Sequence, residues 1–320
     1  IIGFSLGYEM AYSNVLNMLD LAGLPLRSAD RPELTPLIVA GGTCAYNPEP
    51  LAPFIDLFVV GEGEEVTLEY VQLYRQAREE CWSKEEFIQE AARIPGIYVP
   101  AFYEPVYRED GTLAEMRLRE GSGAPEQVRK RVVENMDGAY FPVKTIIPST
   151  EIVHDRVMLE LFRGCIRGCR FCQAGYVYRP VRSRSPELLA RYGKAACEDS
   201  GYQEMTLSSL SSTDYPCLLE LCDDLLDYCA PRDIGLSLPS MRADTFSMNL
   251  MERLQRVRKG GLTFAPEAGT QRLRDAINKN LREEDLLQSV RTAFTGGWNG
   301  VKLYFMLGLP TETDEDVLGI

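Results

Sequence analysis

Short apolar runs that end in glycine alternate with stretches of helical apolar spacing over residues 1–90. AYSNVLNMLDLAGL sets Val15, Leu16, Leu19 and Leu24 at helical intervals behind a polar start. PLIVAGG and IDLFVVGEGEE have the unbroken apolarity of strands buried on both faces of a parallel sheet, and the second opens a helix expected from Glu64 to about Glu80. Residues 1–90 therefore predict the later half of a doubly wound α/β domain. The alternation lapses over 91–150, where GIYVPAFYEPVYREDGTLAEMRLRE reads as a hairpin turning at Asp110-Gly111. Pro100 and Pro105 restrict its strands to sheet edges, and GSGAPEQ is a flexible break, so this span is expected to be a β-rich connector.

Over 151–320 the alternation returns and becomes regular. Strands are predicted at VMLELFR, EMTLSSL, IGLSLPS, GLTFAPE and VKLYFMLG, with helices such as SPELLARYGKAACEDSG and FSMNLMERLQRV between them. The second of these places Leu250, Met251, Leu254 and Val257 on one face. Five β–α units in series imply an α/β fold whose parallel sheet curls toward a barrel, with chemistry at the carboxyl ends of the strands.

Composition narrows the picture. With 45% hydrophobic and 25% charged residues the 320-residue chain is globular, and its net charge of −13 argues against a general nucleic-acid or anionic-membrane binder. No apolar run reaches the roughly 18–20 residues that span a bilayer, so no membrane association is expected. Nine cysteines are too sparse for a disulfide scaffold, which suggests a reducing cytoplasm. The start without Met and the helix-opening TETDEDVLGI at the end read as those of an internal fragment.

Three of those cysteines, Cys165, Cys169 and Cys172, crowd into RGCIRGCRFCQAG, just after the first strand of the regular series. Zinc would need a fourth ligand: Cys197, Cys217, Cys222 and Cys229 fall unpaired on predicted helices, and the one histidine, His154, precedes the strand. A redox dithiol would leave one cysteine surplus. Buried structural thiols fit poorly beside Arg163, Arg167 and Arg170. An iron–sulfur cluster suits soft thiolates on a glycine-containing loop, and three thiolates leave one iron of a four-iron cluster open.

Cys165-x3-Cys169-x-Phe171-Cys172 resembles the signature of radical S-adenosylmethionine (SAM) enzymes, including the aromatic residue before the third cysteine. FAPEAGTQRLRDAINKN and MLGLPTETDED are similar to fourth- and fifth-strand motifs of the methylthiotransferase branch. Across the whole chain the resemblance is to radical SAM proteins with an N-terminal cobalamin (B12)-binding-like domain. It implies a partial B12-binding-like domain over 1–90 and a partial (β/α)6 radical SAM barrel over 151–320, five strands of it visible.

The resemblance implies a radical SAM enzyme whose [4Fe–4S] cluster, on Cys165, Cys169 and Cys172, reductively cleaves SAM to a 5′-deoxyadenosyl radical for hydrogen abstraction. It sets Phe171, Ser208, Ser209, Ser211, Ser240, Arg242, Glu267, Gly308 and Pro310 along the SAM site, with Ser208, Ser209 and Ser211 standing where the family usually has Gly-Gly-Glu. A flavodoxin- or ferredoxin-like one-electron donor is implied; the substrate is not. Base-off cobalamin uses a DxHxxG histidine, and none precedes His154, so cobalamin is the lesser expectation. The competing function is a non-catalytic iron–sulfur electron carrier or sensor. One or two of Arg163, Arg167, Arg170, Arg179, Arg182 and Arg184 are expected to face the cofactor or an anionic substrate.

Overall fold

The computed structural model describes residues 1–246, 248–254, 257 and 261–320. It divides into two compact units, Ile1–Glu134 and Asn135–Ile320.

In the first unit, β1 (Ile2–Ser5), β2 (Ile38–Gly41) and β3 (Leu57–Val59) are parallel, and β4 (Ile97–Tyr98) runs antiparallel to β3, giving the order β1-β2-β3-β4. Side chains alternate across a strand, so a continuous apolar run feeds two cores. Leu37, Val39, Leu57 and Val59 pack with Val66, Tyr70 and Tyr74 of α2 (Gly63–Glu79) and Phe87 and Ile88 of α3 (Lys84–Ala91). Ile38, Ala40 and Phe58 point the other way, onto Val15 and Leu19 of α1 (Tyr12–Leu21). Helices thus cover both faces, as the doubly wound reading expects. A buried charged cluster lies in the same unit, in which Asp56 receives both Arg31 (3.1 Å) and Lys84 (2.8 Å) and caps the Ile38 N–H (2.7 Å). A hairpin of β5 (Tyr103–Tyr107) and β6 (Leu113–Leu118) follows, its turn closed by Gly111 N–H on the Arg108 carbonyl and by Thr112 N–H on Asp110.

In the second unit, β7 (Val157–Glu160) leads into a small ladder of β8 (Phe162–Arg163) and β9 (Arg182–Ser183), with α4 (Ala174–Val177) between them. The remaining elements are α5 (Pro186–Ser200), β10 (Glu204–Ser208), α6 (Leu218–Cys229), β11 (Gly235–Ser237), α7 (Met248–Leu254), β12 (Leu262–Glu267), α8 (Gln271–Ala276), α9 (Glu283–Thr295), β13 (Val301–Phe305) and α10 (Asp314–Leu318). Strands β11, β10 and β7 form one parallel sheet in that order, and β12 and β13 a second. Leu159, Met205, Leu207 and Leu236 bury against Leu189 and Ala196 of α5 and Leu221 and Leu225 of α6.

Two details differ from the sequence pattern. VMLELFR is not one strand: after Leu161 N–H bonds the Ser208 carbonyl, Phe162 and Arg163 turn to pair with Arg182 and Ser183. Among the described residues β11 and β12 are not paired, so the five parallel strands form two partial sheets rather than a continuous one, with a cavity of about 520 Å³ lined by Leu236, Leu238, Leu262 and Trp298. Of FSMNLMERLQRV, the helix is described over Met248–Leu254; Gln255 and Arg256 and the side chains of Met251 and Leu254 lie outside the described residues. Leu250 is buried and Val257 packs on the same core.

Candidate cofactor site at the strand ends

The β8–β9 ladder pinches the chain so that residues 164–181 form a loop beyond the carboxyl end of β7. Gly164 opens it with φ +97°, and a Cβ there would sit 2.7 Å from the Pro180 carbonyl and 2.8 Å from that of Tyr178, so both conformation and space demand glycine. Cys165, Cys169 and Cys172 are free thiols, all partly exposed. Arg167 N–H points at Cys165 Sγ (3.4 Å), and Cys172 N–H donates to the Cys169 carbonyl (3.2 Å).

The loop is fastened to the segment that follows α8. Arg170 N–H donates to the Ile277 carbonyl (2.9 Å), and Asn278 Nδ2 donates to the Gly168 carbonyl (2.7 Å). Phe171 packs against the cluster of Ala268, Leu273, Ile277 and Leu309. Lys279 lies 5.9 Å from the Phe171 ring centroid and reaches Glu267 Oε1 at 3.0 Å, where β12 ends. Glu267 takes φ +70° and gives its carbonyl to Met306 N–H (2.8 Å), which ties the end of β12 to that of β13.

A second clamp joins the loop to the ends of β10 and β11. The Arg167 guanidinium grips Asp214 with two nitrogens, Nε at 2.9 Å, while its Nη1 stands 3.5 Å from Asp244. Ser211 Oγ donates to Asp214 (2.7 Å), and Arg242 Nε to Asp244 (2.8 Å). Arg242 Nη2 also donates to the Lys279 and Asn280 carbonyls (3.3 Å each). Burial pushes the Asp214 carboxyl up, but hydrogen bonds from Arg167 and Ser211 outweigh it and hold the group below the usual carboxylate range. Burial likewise pushes the Cys169 thiol up; the charges of Lys279 and Arg242 pull it back, and Cys172 and Cys165 add to the rise.

Cys165, Cys169, Cys172, Phe171, Ser211, Arg242 and Glu267 thus fall into one connected constellation. Ser209 joins it through Ser211 N–H (3.3 Å), and Ser208 through its carbonyl on Leu161. Gly308 and Pro310 flank Leu309 of the Phe171 cluster and are themselves exposed. Ser240 is exposed and lines the cavity between β11 and β12, and the structure gives it no contact with the cysteine loop. Besides Arg167, the arginines are accounted for individually: Arg163 pairs with Glu160, Arg170, Arg182 and Arg184 donate to backbone carbonyls, and Arg179 stacks 5.0 Å from the Tyr176 ring. Sequence reasoning missed Asp214, Asp244, Asn278 and Lys279, although all four lie inside the polar stretches that follow the predicted strands.

The donor set fits a four-iron cluster. Such a cluster takes one thiolate on each of three separate irons, so the sulfurs need not converge on a point. Accordingly, among the described residues no three His, Cys, Asp or Glu side chains gather around the position of a single metal ion. The Arg167 N–H is aimed at Cys165 Sγ, and the cations Lys279 and Arg242 lie close enough to Cys169 to offset part of the effect of its burial.

Comparison with known proteins agrees with this geometry. The model for radical SAM proteins, N-terminal, matches residues 1–100, and that for the radical SAM superfamily matches residues 159–320, just over half the chain. An uncharacterized protein of Methanocaldococcus jannaschii, MJ0966, is 30% identical over 99% of this chain and 60% of its own length. The chain thus spans about 60% of that relative. Two solved structures share the fold: the radical SAM methyltransferase TsrM from Kitasatospora setae, with cobalamin and a [4Fe–4S] cluster bound (TM-score 0.63, 14% identity, 99% of this chain and 59% of that one), and the cobalamin-dependent SAM radical enzyme OxsB with aqua-cobalamin and SAM bound (TM-score 0.57, 15% identity, 95% and 40%). The chain belongs to the radical SAM superfamily, whose members use a [4Fe–4S] cluster and S-adenosylmethionine.

Proposed function

We propose that this chain is the cofactor-bearing part of a radical SAM enzyme, with Cys165, Cys169 and Cys172 each binding one iron of a [4Fe–4S] cluster. The observation that carries the reading is the placement of three free, partly exposed thiols on one loop at the end of β7, framed by hydrogen bonds and cations. When bound, the reduced cluster supplies one electron that breaks a C–S bond of SAM, giving methionine and a 5′-deoxyadenosyl radical that takes a hydrogen atom from substrate. The chain's own part is binding and orientation. Arg167 holds the loop against β10 and β11 through Asp214 and Asp244. Ser208, Ser209, Ser211, Arg242 and Glu267 present polar groups at the strand ends, as does Ser240 three residues beyond the end of β11. Phe171 packs the loop down, and Gly308 and Pro310 edge the site beyond β13.

On this reading residues 1–90 are the B12-binding-like domain, 91–150 the connector and 151–320 the radical SAM core. The protein works in the cytoplasm, takes its electron from a flavodoxin- or ferredoxin-like donor and acts on a substrate yet to be found. No described helix is long and apolar enough to cross a membrane. Cobalamin accompanies TsrM and OxsB, but the first unit holds no histidine, so a cobalamin here would not be ligated by one from that unit. Nothing in the comparisons supports a non-catalytic carrier.

The test is iron and sulfide content after anaerobic reconstitution of the full-length protein. Cys165→Ala, Cys169→Ala and Cys172→Ala should each lose the cluster while Cys217→Ala keeps it. Retention of a full cluster in all three would overturn the assignment.

A further inference from the structure

The cations around the cysteine loop are held in different ways. Arg167 and Arg242 each grip a carboxylate with two nitrogens and are spent on joining loops. Lys279 has a point charge, held at 3.0 Å from Glu267 Oε1, with side chains only 13% and 15% exposed. Its position is fixed by backbone. Asn278 and Asn280 on either side take positive φ (+54° and +50°), Lys279 N–H donates to the Arg274 carbonyl (2.9 Å), and Asn278 ties the segment to Gly168. The ammonium is thereby set over the ring of Phe171, the residue immediately before Cys172.

A [4Fe–4S] core with three thiolates carries about one negative charge when oxidised and about two when it has accepted an electron. A fixed cation in a half-buried site stabilises the second state more than the first, and a fixed anion does the reverse. We propose that Lys279 and Glu267 form an opposed charge pair that sets how readily the cluster takes its electron from the one-electron donor. Lys279 favours reduction and Glu267 resists it. Both are positioning residues that act on the cluster through its field, and the inference rests on the cluster assignment above. It also gives Glu267 a role in the SAM-free protein: any ligand that draws its carboxylate away from Lys279 would make the cluster easier to reduce.

The experiment is an EPR-monitored redox titration of the reconstituted full-length protein without SAM, with iron and sulfide counted in each variant. Lys279→Met should lower the ratio of reduced to oxidised cluster at fixed potential about tenfold, equivalent to about 59 mV for a one-electron couple. Glu267→Gln should raise that ratio, Lys279→Arg should leave it near wild type, and the double variant should fall between the two single changes. A merely structural role would lower cluster content in both single variants without moving their midpoints in opposite directions. Intact clusters with unchanged midpoints, or shifts of the same sign in both, overturn the proposal. A wild-type protein that assembles no four-iron cluster overturns the cofactor assignment itself, and this pair with it.

Discussion

Arg167, two residues beyond Cys165, closes its guanidinium on Asp214 in the loop after β10, a contact across 47 positions of sequence. It links the entry of the cysteine loop to the neighbouring strand. Arg167→Ala should cost about 1.5–3 kcal/mol of unfolding free energy, the range for hydrogen bonds to a charged partner, and should lower iron retained per chain during aerobic handling. The same pair carries a pH dependence. Folding lowers the Asp214 pKa, so the stabilisation is complete above the ordinary value of 3.8 and is lost as pH falls through the lower folded value. The gap between wild type and Arg167→Ala in urea titrations should therefore be full at neutral pH and narrow progressively as pH falls below 3.8.

Two glycines separate crowding from backbone conformation. A Cβ on Gly269 would lie 2.3 Å from the Asp316 carbonyl and 2.7 Å from Gly319, all of it backbone that cannot step aside. Gly308 has φ +82° and open space around it. Gly269→Ala should lower the unfolding free energy by about 1–3 kcal/mol or more, and Gly308→Ala by about 1 kcal/mol, as read from denaturant midpoints.

Burial pushes the thiols of Cys197 and Cys229 up to about 11 and that of Cys222 up to about 12. These residues lie on the buried faces of α5 and α6, within the core, where sulfur behaves as a small apolar group. Iodoacetamide at pH 8 followed by mass spectrometry should leave all three unmodified in the folded protein and label the exposed Cys81. Labelling of Cys222 at a rate comparable to Cys81 would contradict its placement.

Asp56 has no exposed side-chain surface and faces two cations. Asp56→Ala would leave Arg31 and Lys84 buried without an anion, a loss of about 3–5 kcal/mol. Replacing Lys84 as well, as Asp56→Ala with Lys84→Met, should recover part of it in the same urea titration.

Local features were legible because their causes are local. PLIVAGG became β2 and IDLFVVGEGEE became β3 and α2, since an unbroken apolar run between glycines can bury both faces only inside a covered sheet. The Asp110-Gly111 turn carries its own hydrogen-bonding side chain. The break at Leu161 was invisible because Phe162 is as apolar as a strand residue and is buried in either arrangement. The gap between β11 and β12 was equally hidden: pairing is decided by how far apart two sheets settle, which no single strand encodes. The site divided along the same line. Three cysteines within eight residues announce themselves, whereas Asp214, Asp244 and Lys279 gain their meaning from partners that folding brings from elsewhere in the chain. The serines of LSSLSSTDY are legible as polar groups at a strand end, whereas the hydrogen bond by which Ser211 holds Asp214 on its arginine is seen only in the fold.

The central claim is that the cysteine loop supports cleavage of SAM at its cluster. The most direct test is the amount of 5′-deoxyadenosine formed when the anaerobically reconstituted full-length protein is given SAM and dithionite. The account predicts 5′-deoxyadenosine in molar excess over a Cys169→Ala control that forms none. A wild-type protein with an intact four-iron cluster that neither binds SAM nor yields 5′-deoxyadenosine would contradict it.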